Sequence, residues 1–153
     1  MTSLAKGIII GAIAVVVLGA AIMVVVISAG IIGWKAAVRS GNETVAVQNL
    51  RTVAALEVEY FNTHNRNFGT FDQLTNEGML GSRFAGNPPI VDGYIFNLKV
   101  TPKTTNASSS YTLNADPESA AAGKNHFFLD STTGTIHVNA DQPARASDPP
   151  LVQ

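Results

Sequence analysis

Between Gly7 and Trp34 the chain reads GIIIGAIAVVVLGAAIMVVVISAGIIGW. This run contains no charged residue, and Ser28 is its only polar side chain. As a helix it would span roughly 42 Å, more than the roughly 30 Å hydrocarbon core of a bilayer. A secretory signal peptide has a shorter apolar core, about 7–15 residues long. Residues 7–34 are therefore predicted to form a membrane-spanning helix.

The rest of the chain has the composition of a slightly acidic folded domain. All acidic residues of the 153-residue sequence follow Trp34, and residues 35–153 suffice for one modest core. No basic patch or aromatic–basic interleaving is present, so no nucleic-acid contact is predicted. Cysteine is absent, which excludes disulfides and cysteine-ligated metals.

The predicted helix continues beyond the apolar run as an amphipathic segment over residues 35–62. This segment has no proline, and Gly41 is its only glycine. Apolar residues recur at steps of three and four, as on one helix face: Val47, Leu50, Ala54, Val58 and Phe61. Glu57 and Glu59 are placed largely off that face. We predict one helix from about Gly7 to Asn62; the alternative is two helices with a break near Gly41.

Residues 63–90 are predicted to connect the long helix to a sheet. Thr70 and Gln73 match a capping box, which indicates a short helix over 70–77 with Phe71 and Leu74 facing inward. Gly78 ends this helix. A loop containing Asn-Pro-Pro is predicted up to Pro89.

Residues 91–140 are strand-like. Four segments alternate between apolar and polar residues: Gly93–Thr101, Tyr111–Ala115, Asn125–Asp130 and Thr135–Asn139. Short turns between strands favour an antiparallel meander, and one face of such a sheet must be buried. The predicted fold class is therefore α+β, with a long transmembrane and amphipathic helix packed on a three- or four-stranded antiparallel sheet. Residues 141–153 hold three prolines and are predicted to be irregular.

Short motifs follow one another in order from about residue 40 to residue 151. They are the 42–53 helix segment NETVAVQNLRTV, Phe68-Gly-Thr70, Gly93-Tyr94, Tyr111-Thr-Leu-Asn-Ala115, Thr133-Gly-Thr-Ile136 and Ala146-Ser-Asp-Pro-Pro-Leu151. With a half-apolar helix preceding a small sheet, this set resembles the type IV pilins and type II secretion pseudopilins. The resemblance implies a structural subunit that assembles through its N-terminal helix.

The N-terminus departs from the pilin pattern. Residues 1–6 form a short leader-like start, and Gly7 followed by Ile8 is similar to a leader cleavage site. The family carries a glutamate at the fifth position after the cut, where this chain has Ala12, or Val15 if the helices are aligned on Asn42-Glu43. The absent glutamate bears on both leader removal and ordinary assembly.

Chemistry-bearing residues are sparse. The loop carboxylates Asp116, Glu118 and Asp130 suit calcium in type but lack a full ligand set. His126 and His137 fall on the two arms of one predicted hairpin and are expected to point to opposite faces, so they predict no metal site. No nucleophile motif or phosphate-binding loop is present. We expect no enzyme activity and no cofactor.

Two functions remain open. The first is a pilus or pseudopilus subunit whose partners are the lipid bilayer and like or related subunits. Small residues would permit close helix approach, namely Gly11, Ala14, Gly19, Gly30 and Gly33. The alternative is a non-assembling, single-pass membrane protein that presents a pilin-like binding domain. The resemblance implies a cytoplasmic N-terminus and an extracytoplasmic sheet, whereas Lys35 and Arg39 against Lys6 weakly favour the reverse.

Overall fold

The computed structural model describes the backbone of residues 3–152 and the side chains of residues 33–152. The chain divides into two compact units, Met1–Ala37 and Val38–Gln153. Helix α1 is assigned to Ser3–Thr63. The predicted membrane span at 7–34 falls almost wholly outside the described side chains. Among the residues searched, which exclude that masked part, no helix is long and apolar enough to cross a membrane.

Within the second unit, α1 runs from Val38 to Thr63 without interruption. The alternative of a break near Gly41 is therefore wrong. The helix ends because Asn65 and Arg66 adopt left-handed φ angles of 53° and 61°. Turn hydrogen bonds satisfy two carbonyls of the last turn, from His64 N–H to Tyr60 O at 2.9 Å and from Arg66 N–H to Phe61 O at 3.1 Å.

The second helix, α2, covers Phe71–Asn76. Its capping box is confirmed, since Thr70 accepts from the Gln73 N–H and Gln73 accepts from the Thr70 N–H. Gly78 ends the helix with a φ of +71°, which a side chain would disfavour. A 3-10 turn at Ser82–Phe84 then leads to the sheet.

The sheet has five antiparallel strands in chain order, one more than the predicted maximum. They are β1 Ile90–Val91, β2 Tyr94–Thr101, β3 Ser110–Pro117, β4 His126–Asp130 and β5 His137–Asn139. The additional strand is β1, which pairs with β2 through the two-residue turn Asp92-Gly93. Both turn residues have positive φ, which is why Asp-Gly favours this kind of hairpin.

The core lies between α1 and one face of the sheet. Alternate strand residues point into it and are at least nine-tenths buried: Tyr94, Phe96, Tyr111, Leu113, Ala115, Phe127 and Leu129. From the helix, Leu50 and Val53 are fully buried against them. Phe84 joins this core and meets Phe96 edge to ring at 5.4 Å between centroids. The α+β class and the helix-on-sheet packing are thus confirmed.

The buried face of α1 is rotated from the predicted face. Every member of the inward set follows the last by three or four residues: Ala46, Leu50, Val53, Glu57 and Tyr60. Val58 is 57% exposed, so its predicted contact with the sheet is wrong. The placement of Glu57 off the apolar face is also wrong, because this carboxyl residue is fully buried. The sequence pattern failed here because a glutamate occupies a core position.

The C-terminal tail is irregular in backbone but is held along the edge of the sheet. Leu151 N–H donates to Ile136 O at 2.7 Å, and Val138 N–H donates to Pro149 O at 3.0 Å. Ala144 is buried, and its carbonyl accepts from the Asn114 amide at 3.0 Å. The tail therefore covers the outer edge of β5.

We predict that Leu50→Ala destabilises the domain by about 2–5 kcal/mol, because it empties a fully buried position. Val58→Ala, on the same helix but largely exposed, is expected to cost less than about 0.5 kcal/mol. Urea unfolding of the full chain in nonionic detergent, followed by tyrosine near-ultraviolet circular dichroism, measures both. Equal losses from the two substitutions would contradict the rotated face.

Candidate functional site

Most of the predicted N-terminal site residues precede the described side chains, and Gly33 is the exception. Gly7, Ile8, Gly11, Ala14, Gly19 and Gly30 lie outside the described side chains. Gly33 is described and exposed, with open space where a side chain would begin. The predictions of leader cleavage and helix–helix packing therefore remain predictions.

Only some of the residues predicted to pack the helix on the sheet reach the core. Val47 and Leu50 are buried in the core, and Ala54 is partly buried against it. Phe61 is half-buried at the rim, where its ring stacks on Phe68 with centroids 4.6 Å apart. Only Val58 is turned away from the core.

The opposite side of α1 is exposed. We call it the outer helix face, and its exposed residues between positions 44 and 62 are Thr44, Gln48, Arg51, Thr52, Ala55, Val58, Glu59 and Asn62. A groove of about 510 Å³ lies beside the C-terminal end of this face, and Val58, Phe61 and Phe68 form its apolar part. Serine and threonine residues from the β2–β3 and β4–β5 connections form its polar rim. The outer helix face is thus mostly polar, with Ala55 and Val58 as its exposed apolar residues.

Polar side chains tie the start of the described helix to the loop before β4. The Glu43 carboxylate accepts hydrogen bonds from the Lys124 N–H at 2.8 Å and from the Asn125 N–H at 3.3 Å. Its second oxygen accepts from the Asn125 side-chain amide at 2.7 Å. Asn42 donates to Ala122 O at 2.9 Å. These bonds fix the loop against one turn of the helix.

A second polar contact joins the middle of α1 to the 3-10 turn. Arg83 donates to the buried Asn49 side chain at 2.8 Å and to Asp92 at 3.2 Å. The Asn49 amide nitrogen is itself buried without a partner. Arg83 therefore links the helix to the β1–β2 hairpin.

Glu57 is the most unusual group in the described core. One of its oxygens accepts the Gly69 N–H at 2.8 Å, and the other, Oε1, is buried without a hydrogen-bond partner. Burial raises the pKa of Glu57 to about 7, against the smaller opposing effect of the Gly69 hydrogen bond. Burial also raises the pKa of Tyr111 to about 12, with added effects from Glu57 and Asp130. The carboxyl group is therefore poised to be neutral in the folded protein at mildly acid pH.

The histidines are each engaged with neighbours. His64 lies flat on Tyr60, with ring centroids 3.7 Å apart, and contacts Glu77 at 3.0 Å. His126 Nδ1 lies 2.6 Å from Asp116, and His137 Nδ1 lies 2.6 Å from the Asp148 carbonyl.

The register of the β4–β5 hairpin corrects one prediction. A turn at Ser131–Gly134 predicts His137 opposite Phe127 and His126 opposite Val138. Instead, Phe128 pairs with His137 and His126 pairs with Asn139, a shift of one residue. His126 and His137 thus lie on the same face of the sheet, not on opposite faces. Even so, no group of three or more metal-ligating side chains occurs among the described residues.

Sequence reasoning missed the roles of Glu43 and Glu57. An available signal was the spacing of Ala46, Leu50, Val53, Glu57 and Tyr60, which is a complete helix face once the glutamate is admitted. Glu43 gave no comparable signal, because its partners at positions 124 and 125 are distant in sequence.

We predict that Glu43→Ala lowers the free energy of unfolding by about 1–2 kcal/mol, because charge-assisted hydrogen bonds to the β4 loop are lost. Glu59→Ala removes the same charge from an exposed position and should cost less than about 0.5 kcal/mol. Urea midpoints at constant slope report the two changes. A loss of stability no larger in Glu43→Ala than in Glu59→Ala would show that the hydrogen bonds of Glu43 to residues 124 and 125 do not stabilise the domain.

We predict that Glu57 makes the domain less stable as pH rises. The folded pKa of about 7 exceeds the ordinary value of 4.5, so the stabilisation is full below pH 4.5 and is lost as pH passes through 7. The loss should be of the order of 2 kcal/mol between pH 5 and 8. Glu57→Gln should remove this slope. Because both proteins carry the same histidines, the difference between their unfolding curves isolates Glu57; parallel curves would disprove the assignment.

No protein-family model, curated protein or solved structure matches this chain.

Proposed function

We propose that this protein is a membrane-anchored, pilin-like structural subunit that assembles through its N-terminal helix into a pilus or pseudopilus. The observation that carries the proposal is the packing of the amphipathic part of α1 on one face of an antiparallel meander. This arrangement was expected from the ordered motifs that resemble pilins. An uncharged apolar run at residues 7–34 in the same chain supplies the second half of the resemblance.

The surface that remains after this packing supports the same role. One side of α1 is committed to the domain core, whereas the outer helix face is left for neighbours. Small residues in the apolar run would let such helices approach closely within a filament. The anchored domain would lie outside the inner membrane of a bacterium, with the N-terminus in the cytoplasm.

A single-pass protein that does not assemble is the second candidate. The observation that favours it is the absence of any acidic residue in the run from Gly7 to Trp34, where pilins place a glutamate. Such a protein would use the same domain to hold a partner at the membrane surface. The two candidates share the anchor and differ in whether copies bundle.

Electron microscopy of appendages sheared from the native host, followed by mass spectrometry, separates the candidates. We expect filaments that contain peptides from residues 38–153 and an N-terminus beginning at Ile8. The control is a strain in which the gene is deleted and then restored on a plasmid.

Two results would count against assembly. One is recovery of the chain only from the membrane fraction with Met1 intact. The other is a set of filaments unchanged by the deletion. A reporter fused after Gln153 that is active only in the cytoplasm would overturn the proposed orientation.

A further inference from the structure

A basic concavity lies between the first described turns of α1 and the loop before β4. It has a volume of about 360 Å³ and is lined by Arg39, Lys124, His126 and Ser119, with small residues at Ala120 and Gly123. The lining includes two permanent cations and no carboxylate. We call this concavity the basic pocket. Its lining chemistry suits a small oxyanion.

Neither Arg39 nor Lys124 forms an ion pair within the part of the chain whose side chains are described. The three ion pairs found among residues 33–152 are His64–Glu77, Arg83–Asp92 and His126–Asp116. Glu43 lies one helical turn after Arg39, but its oxygens accept hydrogen bonds from the backbone N–H groups of Lys124 and Asn125 and from the Asn125 amide. It forms no ion pair with either cation among residues 33–152. Arg39 and Lys124 therefore keep their charged groups available to a ligand.

His126 is held differently from the two cations. Its Nδ1 lies 2.6 Å from the Asp116 carboxylate, which offsets any positive charge on the ring. Ser119 and Lys124 belong to the same loop, and the bonds from Glu43 to Lys124 and Asn125 hold its end against the helix. The pocket is thus built on a fixed loop, with its charge concentrated on Arg39 and Lys124.

The position of Arg39, close to the apolar run, favours a membrane lipid over a free anion as the source of the oxyanion. Arg39 lies five positions after Trp34, the end of the uncharged run. In any conformation this is at most about 18 Å of chain, so a residue at that place stays near a membrane that the run enters. Basic residues close to a membrane surface attract anionic lipids.

We propose that the basic pocket binds the phosphate of an anionic phospholipid headgroup through Arg39 and Lys124. The inference rests on the proposed membrane anchor, which supplies the lipid surface. Arg39 can donate two parallel hydrogen bonds to phosphate oxygens, and Lys124 can add a point charge. Binding would hold the loop side of the domain against the bilayer.

The test uses the full chain, labelled with nitrogen-15, in nonionic detergent micelles. Dihexanoyl phosphatidylglycerol is titrated while the Arg39 side-chain and Gly123 and Lys124 amide signals are followed. We expect saturable shifts of these signals. Dihexanoyl phosphatidylcholine should shift them much less, because its choline group cancels the phosphate charge.

Charge-removal variants show whether the pocket is the site. In the double variant Arg39→Gln, Lys124→Gln the affinity should fall by about 30-fold, since each cation near a lipid surface contributes about 5-fold. The matched control is Arg51→Gln, Lys99→Gln, which removes two exposed cations that do not line the pocket and should leave the affinity unchanged. Equal weakening in both double variants would overturn the proposal.

Two further experiments identify the source of the phosphate and test the membrane anchor independently of the pocket. Equal affinity for glycerol 3-phosphate or inorganic phosphate would overturn the lipid assignment in favour of a free anion. Absence of any saturable shift would overturn the pocket itself. Flotation of the chain with vesicles of phosphatidylcholine alone tests the anchor. Failure to float would refute the proposed function, whatever the micelle titration shows.

Discussion

Burial of one helix face against one sheet face is the contact on which the rest of the domain depends. A five-stranded antiparallel meander leaves an apolar face that cannot remain in water, and α1 is the element that covers it. Leu50 and Val53 enter the sheet's layer of aromatic and aliphatic residues without residual exposure. The connecting loops, α2 and the 3-10 turn then pack around this contact.

Polar groups determine how closely and in which rotation the helix sits. Glu43 and Asn49 meet the loop and turn elements through hydrogen bonds, whereas Glu57 enters the core with only the Gly69 amide as a partner. A fully buried carboxyl with one unpartnered oxygen costs stability when it is ionised. Hydrogen bonds from Glu43 and its neighbours therefore hold one end of the described helix against the domain, and the pH-sensitive Glu57 lies in the core near the other end.

The sequence allowed the coarse fold to be predicted, and local signals carried most of that success. The capping box at Thr70, the stop at Gly78 and the alternating strands were each encoded within a few neighbouring residues. The failures involve information that is not local. Glu57 was excluded from the core because charged residues are rarely buried, the register of His137 depends on the turn geometry, and the partners of Glu43 lie about 80 positions away. Of the candidate site residues, those at the N-terminus lie beyond the described side chains.

The tail beside β5 has a consequence for how this domain tolerates change at its C-terminus. Pro149 to Leu151 occupy main-chain groups of Ile136 and Val138 that would otherwise form an open strand margin. Proline is well suited to this place because it cannot offer an amide for a further ladder. Removal of residues 149–151 would expose an edge with unpaired backbone N–H and C=O groups, and such an edge can pair with a strand from another molecule. Residues 149–151 thus protect this edge against strand exchange between molecules. A fusion partner placed after them needs a linker that leaves their hydrogen bonds to Ile136 and Val138 intact.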